Sequence, residues 1–261
     1  MSKIYAIKYG YDKENEKEIH NGLVDTWQEC QRLVKGVNGA RFKSFLTLKE
    51  AREYLEQTDV YLKSEKKYPT DCLAVYVDGS YNAGTEEFSY AAIPVEDECI
   101  IKDIISGKGK LVGVKNVRQI AGELYAALMA VDYAISKGHE KVVIVHDYIG
   151  ICYHATGVWE RNEASSIAYF KEMQQRMRQI EIIFVKVDGH SGDLFNNLAD
   201  EIAKSELEIY NTKEISKWLN NDIFYIDSDG NDEHIISKIL NIAPCATEDK
   251  FVTFDSVNKE D

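Results

Sequence analysis

Two short apolar runs in this chain each stop at an aspartate. Leu73-Ala74-Val75-Tyr76-Val77 is followed by Asp78, and Val142-Val143-Ile144-Val145 is followed by His146 and Asp147. Apolar runs this short, without alternation, read as strands buried on both faces. Such strands need helices above and below them. The sequence supplies these: helices are predicted over about 120–137, stopped by Gly138, and over 149–155, 164–178 and 196–207. Further strands are predicted near 88–95, 99–106 and 182–187. Three early strands followed by alternating helix and strand predict an α/β domain, a mixed sheet flanked by helices.

That domain is assigned residues 71–207. Ahead of it, residues 1–56 read as a small β-β-α-β-α unit. Residues 3–9 alternate as a strand, 10–22 form a charged hairpin loop, and 41–45 form another strand. Thr26 before Trp27-Gln28-Glu29, and Thr47 with Glu50 three residues on, are capping boxes that open two helices. Residues 57–70 are polar, contain Pro69, and form a linker. Residues 208–261 form an acidic C-terminal extension without a chemical motif. A strand is expected in it at 223–226, a helix at 233–242 and a strand at 251–254.

Composition narrows the function classes. The sequence has no apolar run long enough for a membrane span, so no membrane partner is expected. Five scattered cysteines with no Cys-x-x-Cys pair indicate neither a zinc site nor a disulfide framework. A monomer in the reducing cytoplasm is expected. The net charge of −13 speaks against nucleic acid as a partner if taken whole. That charge is unevenly spread, however. Residues 1–56 carry 10 Lys/Arg against 9 Asp/Glu, while residues 206–261 carry 5 against 13, so the N-terminal part is free to meet a polyanion.

Four acids stand where the predicted elements face one crevice. Asp78 and Asp147 each follow a central strand. Gly79, after Asp78, lets another backbone approach closely. Glu123 falls in the first turn of the long predicted helix, where the dipole favours a carboxylate. Gly122 beside it permits close packing on the sheet. Asp200 lies inside the last helix of the domain, among apolar neighbours. Singly, each acid has an ordinary alternative as a cap, a dipole partner or a solvated residue. Together, unpaired like charges in one crevice repel strongly, and metal cations remove that repulsion. Hard oxygen donors suit magnesium or manganese rather than zinc. Two such ions can activate a water and stabilise the leaving oxygen of a phosphodiester. His190 sits ten residues before Asp200 in the Gly-rich loop Asp188-Gly189-His190-Ser191-Gly192, placed to shuttle a proton or help release product.

Val77-Asp78-Gly79-Ser80, Gly122-Glu123, His146-Asp147 and the His190-to-Asp200 segment resemble type 1 ribonuclease H over residues 71–205. The resemblance implies a five-stranded mixed sheet. It also implies Asp78, Glu123, Asp147 and Asp200 as ligands of two Mg2+ ions, with Mn2+ as a possible substitute, and His190 as the loop histidine. The implied reaction is endonucleolytic hydrolysis of the RNA strand of RNA–DNA hybrids, leaving 5′-phosphate and 3′-hydroxyl ends. Gly79, Ser80, Asn82 and Gln119 are the substrate-facing residues it implies, Gln119 standing where the family usually has Asn. Residues 1–56 resemble the hybrid-binding domain of many ribonucleases H. The matching segments are Tyr5-Ala6-Ile7-Lys8, Trp27-Gln28-Glu29-Cys30 and Gly39-Ala40-Arg41-Phe42-Lys43-Ser44-Phe45. There the aromatic rings of Tyr5, Trp27 and Phe42 can lie against sugars or bases, and Lys8 and Lys43 can meet phosphates. Two alternatives stay open: a nuclease of the same fold acting on another duplex, and a non-catalytic hybrid-binding module.

Overall fold

The computed structural model describes residues 3–37, 40–56, 62–63, 69–110, 118–160, 163–189, 193–210, 223–228, 231–244 and 246–254. The chain divides into two compact units, Met1–Val60 and Tyr61–Asp261. Among the described residues no helix is long and apolar enough to cross a membrane.

The first unit holds β1 (Ile4–Asp12), β2 (Lys17–Val24), α1 (Trp27–Val34), β3 (Arg41–Phe45) and α2 (Leu48–Glu56). The sheet order is β2-β1-β3, antiparallel throughout. The two helices start where the capping boxes predict. Thr26 Oγ1 accepts from the Glu29 N–H at 3.2 Å, and Thr47 Oγ1 from the Glu50 N–H at 3.3 Å. The charged loop expected over residues 10–22 is mostly strand instead. Tyr9 to Asp12 pairs with Lys17 to His20, so only the four residues from Lys13 to Glu16 turn. Charge does not forbid a strand whose backbone is paired and whose side chains reach water. Asp12 also fixes the turn by accepting from the Glu14 and Asn15 N–H groups.

The second unit holds β4 (Leu62–Lys63), β5 (Leu73–Asn82), β6 (Glu87–Glu96), β7 (Ile100–Ile101), β8 (Ile105–Lys110), α3 (Arg118–Ser136), β9 (Lys141–His146), α4 (Gly150–Ala155), α5 (Ala164–Arg176), β10 (Glu181–Lys186), α6 (Leu194–Glu206), β11 (Phe224–Asp227), α7 (Asp232–Ile242) and β12 (Phe251–Phe254). β8-β6-β5-β9-β10 form the expected five-stranded mixed sheet: β5, β9 and β10 are parallel, and β6 is antiparallel to β5 and β8. α3 stops at Gly138, which takes a left-handed φ of 79°.

The sheet continues past these five strands. Leu62–Lys63, inside the segment expected to be linker, pairs parallel to β10. β11 pairs with β7, and β12 with β11. The C-terminal segment is thus built into the sheet. Phe224 and Ile226 alternate on one face of β11, and Ile235, Ile239 and Ile242 share one face of α7. All five are buried in the same core as Val143, Val185, Leu198 and Ile202.

Candidate active site

β5 does not end at Asp78, as the apolar run predicts; it continues to Asn82. Antiparallel partner β6 accompanies it as far as Asn82 and Glu87, while parallel pairing with β9 stops at Tyr76 and Val145. Asp78 therefore stands just past the last pair with β9, on a strand that β6 still holds straight. Asp147 follows the end of β9. Glu123 lies in the second turn of α3, not the first, so the helix dipole acts on it less than the sequence predicts.

Close backbone approach delivers Glu123. A Cβ on Gly79 would lie 2.2 Å from the Glu123 nitrogen, and one on Gly122 would lie 2.1 Å from the Ser89 carbonyl oxygen. No side chain fits at either position. The two glycines let α3 settle onto β5 and β6. As a result Asp78, Glu123 and Asp147 present oxygens that all lie within 4.8 Å of one another. Asp78 Oδ1 accepts from the Gly79 N–H at 2.6 Å. Glu123 Oε2 is buried without a hydrogen-bond partner. Burial pushes the Asp78 carboxyl well above its usual range, and the charges of Asp147 and Asp200 push it further. Burial, then Asp78 and Asp147, do the same to Glu123. Desolvated, mutually repelling carboxylates with an unpartnered oxygen are a donor set that fits a hard divalent cation.

Asp200 faces the same cavity, of about 340 Å³, but stands outside that tight group. Its Oδ2 accepts from Lys204 Nζ, one helical turn on, at 2.6 Å. Gly79 and Ser80 also line the cavity. Asn82 sits at the β5–β6 turn, where its Oδ1 accepts from the Gly84 and Thr85 N–H groups at 2.9 and 3.3 Å. His190 and the side chain of Gln119 lie outside the described residues. His146 is fully buried against Phe184, and burial, with Lys186 adding to it, lowers its pKa to about 3.

The first unit separates what the sequence groups together. Tyr5 and Trp27 lie 5.7 Å apart between ring centroids, and Trp27 and Phe42 are also 5.7 Å apart. Trp27 and Phe42 remain 46% and 40% exposed. These three rings share the α1 face of the sheet. Lys43 pairs with Ala6 and so points to the opposite face, with its Nζ 5.8 Å from the Phe45 ring. The register shifts between Ile7 and Tyr9, and the Lys8 ammonium stands 5.0 Å over the Tyr54 ring of α2. The aromatic surface and the two lysines are therefore on different faces.

Residues 70–208 match the family model described as RNase H, and residues 3–55 match the ribonuclease H1 N-terminal domain. The chain belongs to the ribonuclease H family. A stretch of 34 residues is 56% identical to the ribonuclease H of Crithidia fasciculata; it covers 13% of this chain and 7% of that protein's length. Among solved structures, RNase H1 of the archaeon Halobacterium salinarum NRC-1 is 15% identical, covering 52% of this chain and 97% of its own, with a TM-score of 0.45. The N-terminal RNase H domain of a Mycobacterium tuberculosis protein is 14% identical, covering 52% and 93%, with a TM-score of 0.44.

Beyond the residues the sequence points to, Ile120, Tyr148, Asn196, Asn197 and Lys204 of this ribonuclease H domain line the cavity, and three of them bear on its chemistry. Lys204 neutralises Asp200; its signal is the Asp-to-Lys spacing of four on a helix. Asn196 is 3% exposed, and its Oδ1 is buried without a hydrogen-bond partner. It follows Asp193, which caps α6 by accepting from the Phe195 and Asn196 N–H groups. Tyr148 lines the wall next to Asp147, its hydroxyl pKa raised by burial and then by Glu123. No local pattern marks Asn196 or Tyr148 as different from ordinary helix and loop residues.

Proposed function

We propose that this chain hydrolyses the RNA strand of RNA–DNA hybrids endonucleolytically, leaving 5′-phosphate and 3′-hydroxyl ends. The reading includes two magnesium ions at Asp78, Glu123, Asp147 and Asp200, with manganese as a substitute. One observation carries it: three carboxylates within 4.8 Å, with a buried Glu123 oxygen left unpartnered. When bound, the metal supplies a nucleophilic water at neutral pH and stabilises charge on the leaving oxygen.

The chain's own residues orient and exclude. Gly79 and Gly122 fix the distance between Asp78 and Glu123 by leaving no room for a side chain. Asp147 closes the group from the end of β9. Asp200, paired with Lys204, stands ready across the cavity as the fourth ligand. His190 is assigned the proton shuttle. Gly79, Ser80, Asn82 and Gln119 are assigned to contact the hybrid near the cut. Residues 1–56 are assigned hybrid binding, with Tyr5, Trp27 and Phe42 as a stacking surface and Lys8 and Lys43 adding charge. Selectivity for RNA in a hybrid follows from reading 2′-hydroxyls on one strand only. A monomer acting in the cytoplasm is part of the same reading; the scattered cysteines, with no Cys-x-x-Cys pair, suit a reducing compartment.

The test is a cleavage assay on matched RNA–DNA hybrid, double-stranded RNA and double-stranded DNA, with magnesium and with manganese. Cutting of the hybrid alone, lost on chelation, is the expected result. Equal cutting of all three duplexes points to a nuclease of broader range. No cutting, with hybrid binding kept, points to a binding module.

A further inference from the structure

The family matches end at residue 208, yet the chain beyond is packed into the catalytic unit. Its attachment is specific. Lys238 on α7 donates to Glu206 Oε1 at 2.7 Å and to Ser106 Oγ at 2.9 Å; Ser106 Oγ donates in turn to the same Glu206 oxygen at 2.7 Å. Burial alone would raise the Glu206 carboxyl, but Lys238 and Ser106 outweigh it and hold it below its usual range. Ile235, Ile239 and Ile242 of α7 lie in one core cluster with Ile202 and Ala203 of α6. A second tie holds the segment on the other side: Lys102 bridges Glu96 and the buried Asp227 of β11.

Glu206 is the last residue of α6, the helix that carries Asp200. Glu206 lies six residues on from Asp200, about 9 Å along the axis. A helix transmits a constraint at its end to the tilt and rotation of the residues before it. That constraint matters most for Asp200, because Asp78, Glu123 and Asp147 are already gathered without it. Where Asp200 stands relative to those three depends on how α6 lies on the sheet. α6 is held there by the Asp193 cap, by Ser89 Oγ donating to the Ala203 carbonyl at 2.5 Å, and by the Glu206 junction.

We propose that the C-terminal helix α7 braces α6, and that Lys238, through Glu206 and Ser106, is a positioning residue for Asp200. The proposal rests on the reading of Asp200 as a metal ligand.

The experiment compares the full-length chain with Lys238→Met, Lys238→Arg and Asp132→Asn. The last breaks a bidentate pair with Arg176 elsewhere in the same unit, both contacts at 2.7 Å, and so controls for general destabilisation. Backbone hydrogen exchange is followed over residues 198–206 in metal-free protein, and the half-saturating magnesium concentration is taken from hybrid cleavage. Lys238→Met is expected to speed exchange there about tenfold, as for one lost charge-assisted hydrogen bond. It should also raise the magnesium requirement about fivefold. Lys238→Arg restores both, and Asp132→Asn moves neither by more than about twofold. Glu206→Gln takes the place of Lys238→Met if that variant does not fold. Exchange in 198–206 unchanged by the Lys238 variant, or raised equally by Asp132→Asn, overturns the brace. Faster exchange with an unchanged magnesium requirement overturns the link to Asp200. If the unaltered chain neither binds magnesium nor cuts hybrid, the catalytic reading fails instead, while the exchange result still judges the brace.

Discussion

The first unit leaves Trp27 and Phe42 in water, whereas the second buries Asp78 and Glu123 at 6% and 8% exposure. Both arrangements are unfavourable for the chain alone, but not equally. Exposed rings forfeit about 25 cal/mol per Å² of apolar surface, a graded loss spread over several residues. Buried like charges interact steeply at short range, so each acid in the group raises the free energy of the others. A surface of the first kind tolerates the loss of one member. A cluster of the second kind does not, because under the proposed function the bound cations must satisfy its members together. Under the proposed function, the contrast separates binding that degrades gradually from catalysis that fails at once.

Asp78→Asn is the severest test of that contrast. Removing one preorganised charge-stabilising group commonly lowers rate by about a hundred- to a thousandfold, and loss of a proposed metal ligand should reach at least the upper figure. The same substitution removes repulsion, so at pH 8 the metal-free variant should melt above the unaltered protein. The sign follows from the raised Asp78 carboxyl: the fold disfavours its ionised form, so that penalty grows as pH rises from the unfolded pKa toward the raised folded one and is fully present above it. A variant that is both inactive and less stable without metal would break the comparison.

Trp27→Ala should weaken hybrid binding by about 1–3 kcal/mol, the range for one stacking ring, and leave turnover of saturating short hybrids unchanged. A loss of turnover would mean the ring acts on the chemical step. Lys8→Ala with Lys43→Ala should act more weakly still, since both lysines lie on the face away from the aromatic rings. The expected change is a shallower dependence of affinity on salt, by about one or two units in the log–log slope if both meet phosphate and none if neither does. Fluorescence anisotropy over a salt series decides between them.

The smallest effect belongs to Asp12. Hydrogen bonds from Asn15 and Arg32 lower its pKa from 3.8 to about 2. A lowered carboxyl stabilises the fold above its unfolded pKa and loses that contribution as pH falls toward the folded value. The melting difference between the unaltered chain and Asp12→Asn should therefore be constant from pH 7 to about 5 and shrink toward pH 2. A constant difference throughout would remove Asp12 as an electrostatic anchor of the first unit.

Much of the fold is readable residue by residue. Strands β5 and β9, the long helix and both capping boxes follow from local pattern, because burial on two faces and N-cap chemistry leave marks within a few residues. The loop expected at 10–22 turns out to be strand for the opposite reason. Its pairing is set by the backbone of β1, and a charged exposed strand has no apolar signature to read. β4, two residues long inside an apparent linker, is too short to leave a pattern of its own.

By itself the sequence determined the α/β class, since short buried apolar runs need helices above and below them, and it pointed to the four acids. Tertiary structure decided three things. The Gly79–Gly122 contact set how closely Glu123 meets Asp78. Asp200 was left outside the tight group and paired with Lys204. The C-terminal segment became part of the sheet and core rather than an appendage. Each turns on distances between residues far apart in the chain, where steric fit and Coulomb repulsion vary over a few ångströms that local patterning does not encode.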